Sequence, residues 1–130
     1  MRLVKYWKSI LWTVIVFVLS SVSGNDLNKI PTFDIPHLDK IVHFVMYFVL
    51  SFFLFIDFTK RDNIKTTIVF YILLFSFLYG VSMEFMQEYV FEKRSASIFD
   101  TLANLSGSIV SILLLTIFYK MDIRFNLWKK

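Results

Sequence analysis

The residues of this sequence that could do chemistry gather in three short stretches. The first, HLDKIVHFVMY, places Asp39, His43 and Tyr47 at intervals of four residues, so that in a helix they share one face. The second, GVSMEFMQEY, places Glu84 and Gln87 on one face of another helix. A histidine among carboxylates can exchange protons near neutral pH or hold a ligand, so both general acid–base chemistry and binding must be considered.

The third stretch, EKRSASIFDTLANLSGS, adds a cation and a further helical face. Arg94 and Ser95 belong to a serine-rich turn, and Asp100 and Asn104 follow with a spacing of four. Together with Lys40 from the first stretch, Arg94 could hold a phosphate group through charge-assisted hydrogen bonds. Four small residues near these faces would let helices approach closely: Gly80, Gly107, Ser108 and Ser111.

The composition indicates that a membrane protein carries these groups. Hydrophobic residues make up 57% of the 130 residues, and the mean hydropathy is +0.64. Four runs without Asp, Glu, Lys or Arg each approach the roughly 20 residues that a helix needs to cross a bilayer. We therefore predict an all-α membrane protein with four transmembrane helices, packed as an antiparallel bundle in one domain over 1–130. The predicted helices lie at about 8–25, 40–58, 65–88 and 100–120.

The distribution of basic residues predicts the orientation of this bundle. The N-terminal segment, the connection 57–65 and the C-terminal tail hold three, three and four of the fourteen Lys and Arg residues. The positive-inside rule then places both termini in the cytoplasm and all three polar stretches at the outer face. The first hydrophobic run also has the features of a signal peptide, whereas Trp7 and Trp12 suit a retained helix with interfacial anchors.

The sequence leaves several interpretations of the polar groups open. The groups could be solvated at the membrane boundary, with Asp39 capping a helix. They could form a structural clamp, in which Glu84 or Asp100 pairs with Arg94 and His43 pairs with Asp39. They could form a ligand or catalytic site, and the same set could hold a divalent cation. Since there is no cysteine and no recognisable metal-ligand spacing, the sequence predicts neither a metal nor a cofactor.

The three stretches resemble the VanZ-like family of small bacterial membrane proteins. The family pattern has D-K-x-x-H-F-x-x-Y on one helix, E-x-x-Q on the next, and a turn with Arg and Ser before D-x-x-x-N-x-x-G. The resemblance spans residues 39–111, although many members have Pro-Gly where this chain has Glu92 and Lys93. The matching positions are Asp39, Lys40, His43, Phe44, Tyr47, Glu84, Gln87, Arg94, Ser95, Asp100, Asn104 and Gly107.

The family takes its name from a protein associated with resistance to glycopeptide antibiotics, notably teicoplanin, which bind cell-wall precursors outside the membrane. The resemblance thus implies an envelope-related role in the bacterial cytoplasmic membrane. Polar groups converging at headgroup depth predict binding of a lipid or lipid-linked precursor, with Arg94 and Lys40 on phosphate. His43, Glu84 and Asp100 would orient the ligand or move a proton.

Other functions remain open at this point. The short chain and the lack of a complete catalytic signature favour a binding protein over an enzyme, and also fit a small accessory subunit of a larger membrane complex. Transport would need an oligomer, because four helices enclose only a thin pathway. No basic cluster is combined with a base-stacking platform, so a nucleic-acid partner is not expected.

Overall fold

The computed structural model describes residues 3–22, 37–59, 63–91 and 95–128, and these ranges are helical apart from short turns. A 3₁₀ helix, Leu3–Tyr6, leads directly into α1, Trp7–Ser20. Three longer helices follow: α2 at Leu38–Phe58, α3 at Thr66–Tyr89 and α4 at Ile98–Trp128. The prediction of an all-α chain with four helices is confirmed. Arg94 and most of the connection between α1 and α2 lie outside the described residues.

Three of these helices are long and apolar enough to cross a membrane: α2, α3 and the Ile98–Met121 part of α4. The first helix differs from the prediction, because α1 has 14 residues and ends at Ser20 rather than near residue 25. At 1.5 Å per residue it is about 21 Å long, less than the roughly 30 Å hydrocarbon core. The serines that follow explain where it ends, since the Ser21 hydroxyl donates to the Val18 carbonyl instead of continuing an apolar run.

The helices pack around α2. Its interface with α4 is the most extensive in the bundle, and at Gly107 the two backbones come into close contact. A Cβ atom at Gly107 would lie 2.2 Å from the Phe44 carbonyl oxygen, so only glycine fits there. Ser108 and Ser111, on the same helix, are completely buried. The buried apolar core comes from all four helices: Val16, Met46, Tyr47, Leu50, Leu54, Phe55, Ile72, Ile112 and Leu115.

A buried carboxylate attaches the start of α1 to the end of α2. Asp57 Oδ2 accepts hydrogen bonds from the Ser9 backbone N–H at 3.1 Å and from the Ser9 hydroxyl at 2.6 Å. Ser9 lies in the first turn of α1, whose N–H groups have no partner within the helix. Asp57 therefore caps α1 from a neighbouring helix, a role that the sequence pattern did not reveal.

The rest of α1 is held by two side chains that reach backbone carbonyls. The Trp12 indole donates to the Met46 carbonyl at 2.9 Å, and the Tyr79 hydroxyl donates to the Thr13 carbonyl at 2.8 Å. Between α1 and α3, on the Asp57 side of the bundle, the packing leaves an apolar cavity of about 550 Å³. Contact between these two helices is accordingly limited.

Candidate polar ligand site

The three polar stretches meet at one end of the bundle. The first turns of α2 and α4 lie beside the last turns of α3, so side chains far apart in sequence come within a few ångströms. Exposure of these residues ranges from 1% to 8%, so they are not solvated groups at a boundary. We call these six buried residues the polar site: His43, Tyr47, Glu84, Gln87, Asp100 and Asn104.

His43 occupies the centre of the polar site. Its Nδ1 atom lies 3.1 Å from Asn104 Oδ1 and 3.8 Å from Glu84 Oε1, and its Nε2 atom lies 3.9 Å from Asp100 Oδ2. Since the amide oxygen of Asn104 can only accept, Nδ1 must carry the proton in that hydrogen bond. The Nε2 lone pair of a neutral His43 is then left on the side of Asp100.

Lys40 lies at the rim of the polar site. Its ammonium group is 2.7 Å from Asp39 Oδ2 and 3.5 Å from Asp100 Oδ1. Asp39 is more than half exposed, so its carboxylate pairs with Lys40 at the surface. The clamp interpretation paired Asp39 with His43 because the two share a helical face. The structure instead places His43 between two buried carboxylates.

The carboxylates of α3 also hold the turn that precedes α4. Glu84 Oε2 accepts from the Ser97 N–H at 2.9 Å, and Glu88 Oε2 accepts from the Ala96 N–H at 2.8 Å. Ser97 in turn caps α4, since its hydroxyl accepts from the Asp100 N–H at 3.4 Å. The sequence analysis did not predict that Glu88 holds this turn or that Ser97 caps α4. The cap was detectable, because a serine three residues before an acidic residue commonly starts a helix.

Gln87, Ser95 and Arg94 are the remaining predicted site residues. Gln87 donates from Nε2 to the Ser20 carbonyl at 3.2 Å, which joins the end of α1 to the polar site. Ser95 is exposed on the turn before α4. Arg94, predicted to hold phosphate, is not among the described residues.

Two buried donors of the polar site are unused within the described part of the chain. The Tyr47 hydroxyl and the Asn104 Nδ2 atom have no hydrogen-bond partner there, although the residues are only 1% and 2% exposed. Gly80 lies against both, since a Cβ on it would be 3.2 Å from Asn104 Nδ2 and 3.4 Å from the Tyr47 ring. A buried donor without an acceptor costs about 1–3 kcal/mol, so each favours an acceptor supplied by water or a ligand.

The same centre contains a donor set of the kind that holds cations. One ring nitrogen of His43 and one carboxylate oxygen each from Glu84 and Asp100 lie within 4.8 Å of one another, and all three residues are buried. The polar site thus combines potential cation ligands with hydrogen-bond donors that could bind an anion.

Comparison with known proteins agrees with the motifs on these helices. The VanZ/LLP1 family model matches residues 3–119. An uncharacterised protein of fission yeast, Schizosaccharomyces pombe, is 28% identical over 107 residues, which are 81% of this chain. The aligned part is 63% of that relative, so this chain spans less than two thirds of the length of the relative. No solved structure matches the chain. Because the family match covers most of the chain, this protein belongs to the VanZ/LLP1 family.

Proposed function

We propose that this protein binds the phosphate-bearing headgroup of a lipid, or of a lipid-linked precursor, at the polar site. The observation that carries the proposal is the pair of buried, unused donors on Tyr47 and Asn104, in a site whose rim holds the Lys40 ammonium group 3.5 Å from Asp100 Oδ1. Phosphate oxygens accept hydrogen bonds from neutral and charged donors alike. Arg94, from the adjoining turn, would add a second cation.

The depth of the polar site supports a headgroup rather than an acyl chain as the ligand. Asp39 lies in the first turn of α2 and is exposed, while His43 and Tyr47 follow at about 6 Å and 12 Å along the helix axis. Polar side chains inside the apolar layer are costly unless they meet one another or a polar ligand. A headgroup that moves a few ångströms from the membrane surface into the bundle would reach these polar side chains.

We infer that the helices form an antiparallel bundle in a bacterial cytoplasmic membrane, with both termini inside and the polar site outside. The uneven distribution of Lys and Arg supports this orientation. The 3₁₀ helix Leu3–Tyr6 and α1 would together act as the fourth span, since their combined length is about 29 Å.

The fission-yeast relative supports a ligand class that is found in both organisms' membranes. Peptidoglycan precursors are bacterial, whereas phosphate-bearing lipids occur in both bacterial and yeast membranes. A ligand common to both proteins would therefore be recognised through its phosphate and lipid anchor, not through a peptidoglycan-specific group. Resistance to glycopeptides, the property behind the family name, would then concern members whose ligand is the lipid-linked cell-wall precursor.

The test uses the purified full chain in nanodiscs of mixed lipid composition. Lipids retained by the protein are measured by native mass spectrometry, with phosphatidylglycerol, phosphatidylcholine and a polyprenyl phosphate in competition. We expect a preference for the anionic phosphate lipids. Tyr47→Phe, which removes only the unused hydroxyl, should lower that preference several-fold. The matched change Tyr71→Phe alters an exposed tyrosine away from the polar site and should leave it unchanged.

Two results would contradict the proposal. One is a parent protein that retains all three lipids equally, and the other is a Tyr47→Phe variant that binds as the parent does. A stoichiometric protein partner recovered in mild detergent, together with no lipid preference, would instead favour the accessory-subunit alternative.

A further inference from the structure

We propose that His43, Glu84 and Asp100 form a binding site for one divalent transition-metal ion, of the class of Zn²⁺ or Mn²⁺. The inference goes beyond headgroup binding and does not depend on it, because ion binding can be measured with no lipid ligand present. The sequence predicted no metal, because one histidine with carboxylates is a weak metal signature without a recognisable ligand spacing.

The distances among the three side chains suit a metal ion. A ligand atom from each lies within 4.8 Å of the other two, and His43 Nε2 lies 3.9 Å from Asp100 Oδ2. An ion about 2.0–2.2 Å from each ligand holds its ligand atoms roughly 3.3–4.4 Å apart. Small side-chain rotations would therefore complete the coordination without movement of a helix.

Neighbouring groups already orient each of the three side chains. Asn104 Oδ1 accepts from His43 Nδ1, which leaves Nε2 as the ligand atom, and metal-binding histidines are oriented by such a second hydrogen bond. The Ser97 N–H holds Glu84 through Oε2, while Glu84 Oε1 lies on the side of His43. Lys40 lies near Asp100 Oδ1, while Oδ2 is the atom closer to His43.

The chemistry of the ligands decides which ion fits. One imidazole with two carboxylates suits Zn²⁺ or Mn²⁺, whereas Ca²⁺ and Mg²⁺ favour sites made entirely of oxygen. A doubly charged cation would balance the two buried carboxylates, whose exposure is 5% for Glu84 and 8% for Asp100. With the negative charge of the carboxylates balanced, the polar site would no longer repel a phosphate group.

An independent observation points to further ligands on the ion. The Tyr47 hydroxyl and Asn104 Nδ2 are buried donors without partners among the described residues, and the Asn104 amide adjoins His43. A hydroxide or another anionic oxygen ligand on the metal ion would accept hydrogen bonds from such donors. The Tyr47 hydroxyl and the Asn104 amide would therefore bind a metal-bound hydroxide in the ion-loaded protein, and phosphate oxygens when a headgroup replaces that hydroxide.

The test is a metal titration of the tag-free full chain in detergent after removal of metals with EDTA. We expect one Zn²⁺ or Mn²⁺ per chain, with no comparable binding of Ca²⁺. His43→Gln and Asp100→Asn should each weaken binding at least tenfold. The matched variants His37→Gln, at an exposed histidine, and Asp57→Asn, at the other end of the bundle, change the same residue types outside the donor set and should bind as the parent does.

A second measurement does not depend on the folding of any variant. Pulsed electron paramagnetic resonance of Mn²⁺ bound to the parent protein should show coupling to one imidazole nitrogen. The inference is wrong if the parent binds less than a tenth of an equivalent, if the bound Mn²⁺ shows no nitrogen coupling, or if folded His43→Gln binds as tightly as the parent. Lipid preference is measured in a separate experiment with its own variant, Tyr47→Phe, so failure of one proposal is distinguishable from failure of the other.

Discussion

At the scale of single residues, position within the bundle changes what the same side chain does. Asp39 and Asp100 both begin helices, yet Asp39 is more than half exposed and pairs with Lys40, while Asp100 is buried beside His43. Asp57, at the far end of α2, is buried too, but both its contacts are with Ser9. The buried carboxylates in the described part of the chain therefore serve two separate purposes, helix attachment at one end and the polar site at the other.

The Asp57 contact leads to a prediction about stability. Asp57→Ala removes the acceptor for the Ser9 N–H and hydroxyl, and hydrogen bonds to a charged group contribute about 1.5–3 kcal/mol. We expect the apparent melting temperature in detergent to fall while metal and lipid binding at the polar site persist. Asp39→Ala, an exposed carboxylate, is the control and should change the free energy of unfolding by less than about 0.5 kcal/mol. Equal melting temperatures for the two variants would contradict the assigned role of Asp57.

The sequence predicted most of the buried polar residues but not how they pair. Intervals of four residues placed Asp39 and His43 on one face, and the pattern could not show that only His43 is buried. Helical spacing defines a face, whereas the neighbour that covers this face comes from another part of the chain. The role of Asp57 was not predicted for the same reason, because its partner Ser9 is 48 positions away in sequence.

At the scale of helices, glycine sets how closely α2 and α4 approach. Gly107 lies against the backbone of Phe44, one residue beyond His43 on α2. This contact fixes the separation of the two helices next to the polar site, and thereby the distances from His43 to Asp100 and Asn104.

Replacement of this glycine should therefore damage both stability and binding. In Gly107→Ala the new Cβ would meet the Phe44 carbonyl oxygen at 2.2 Å, and since this atom is backbone, the helices must separate. We expect a loss of roughly 3 kcal/mol in detergent unfolding experiments, together with weaker metal binding. Gly80→Ala should cost less, because its nearest neighbour is the end of the Asn104 side chain at 3.2 Å. Ser106→Ala, on the exposed face of α4, should be neutral. Gly107→Ala as stable as Ser106→Ala would contradict the close packing.

The runs without charged residues predicted which segments form helices, but they predicted the residues at which the helices end less well. The predicted first helix extended to residue 25 because Ser, Val and Gly are uncharged, yet α1 ends at Ser20. A run without charged residues shows which segment can lie in a membrane, but it does not show at which residue the helical hydrogen bonds end. Conversely, α4 continues past residue 120 to Trp128 because charged residues stop a membrane span without stopping a helix.

At the scale of the whole molecule, the inferred topology can be tested because the chain contains no cysteine. Single cysteines can therefore be introduced one at a time and labelled in intact cells with a membrane-impermeant maleimide. Ser95→Cys, beside the polar site, should react in intact cells, and Lys65→Cys, before α3, should react only after permeabilisation. The reverse pattern would place the polar site in the cytoplasm and overturn the proposed orientation.

The packing of α2 against α4 also bears on how the protein is made. The α2–α4 interface is the most extensive in the bundle, and these two helices are separated in sequence by all of α3. The polar site contains residues from α2, α3 and α4. In the order of synthesis, His43 and Glu84 precede Asp100 and Asn104. Until α4 joins the bundle, His43 therefore lacks the Asp100 and Asn104 side chains that lie beside it in the folded protein. Completion of the polar site thus coincides with insertion of the last helix, and a bound ion or headgroup would stabilise only fully inserted chains.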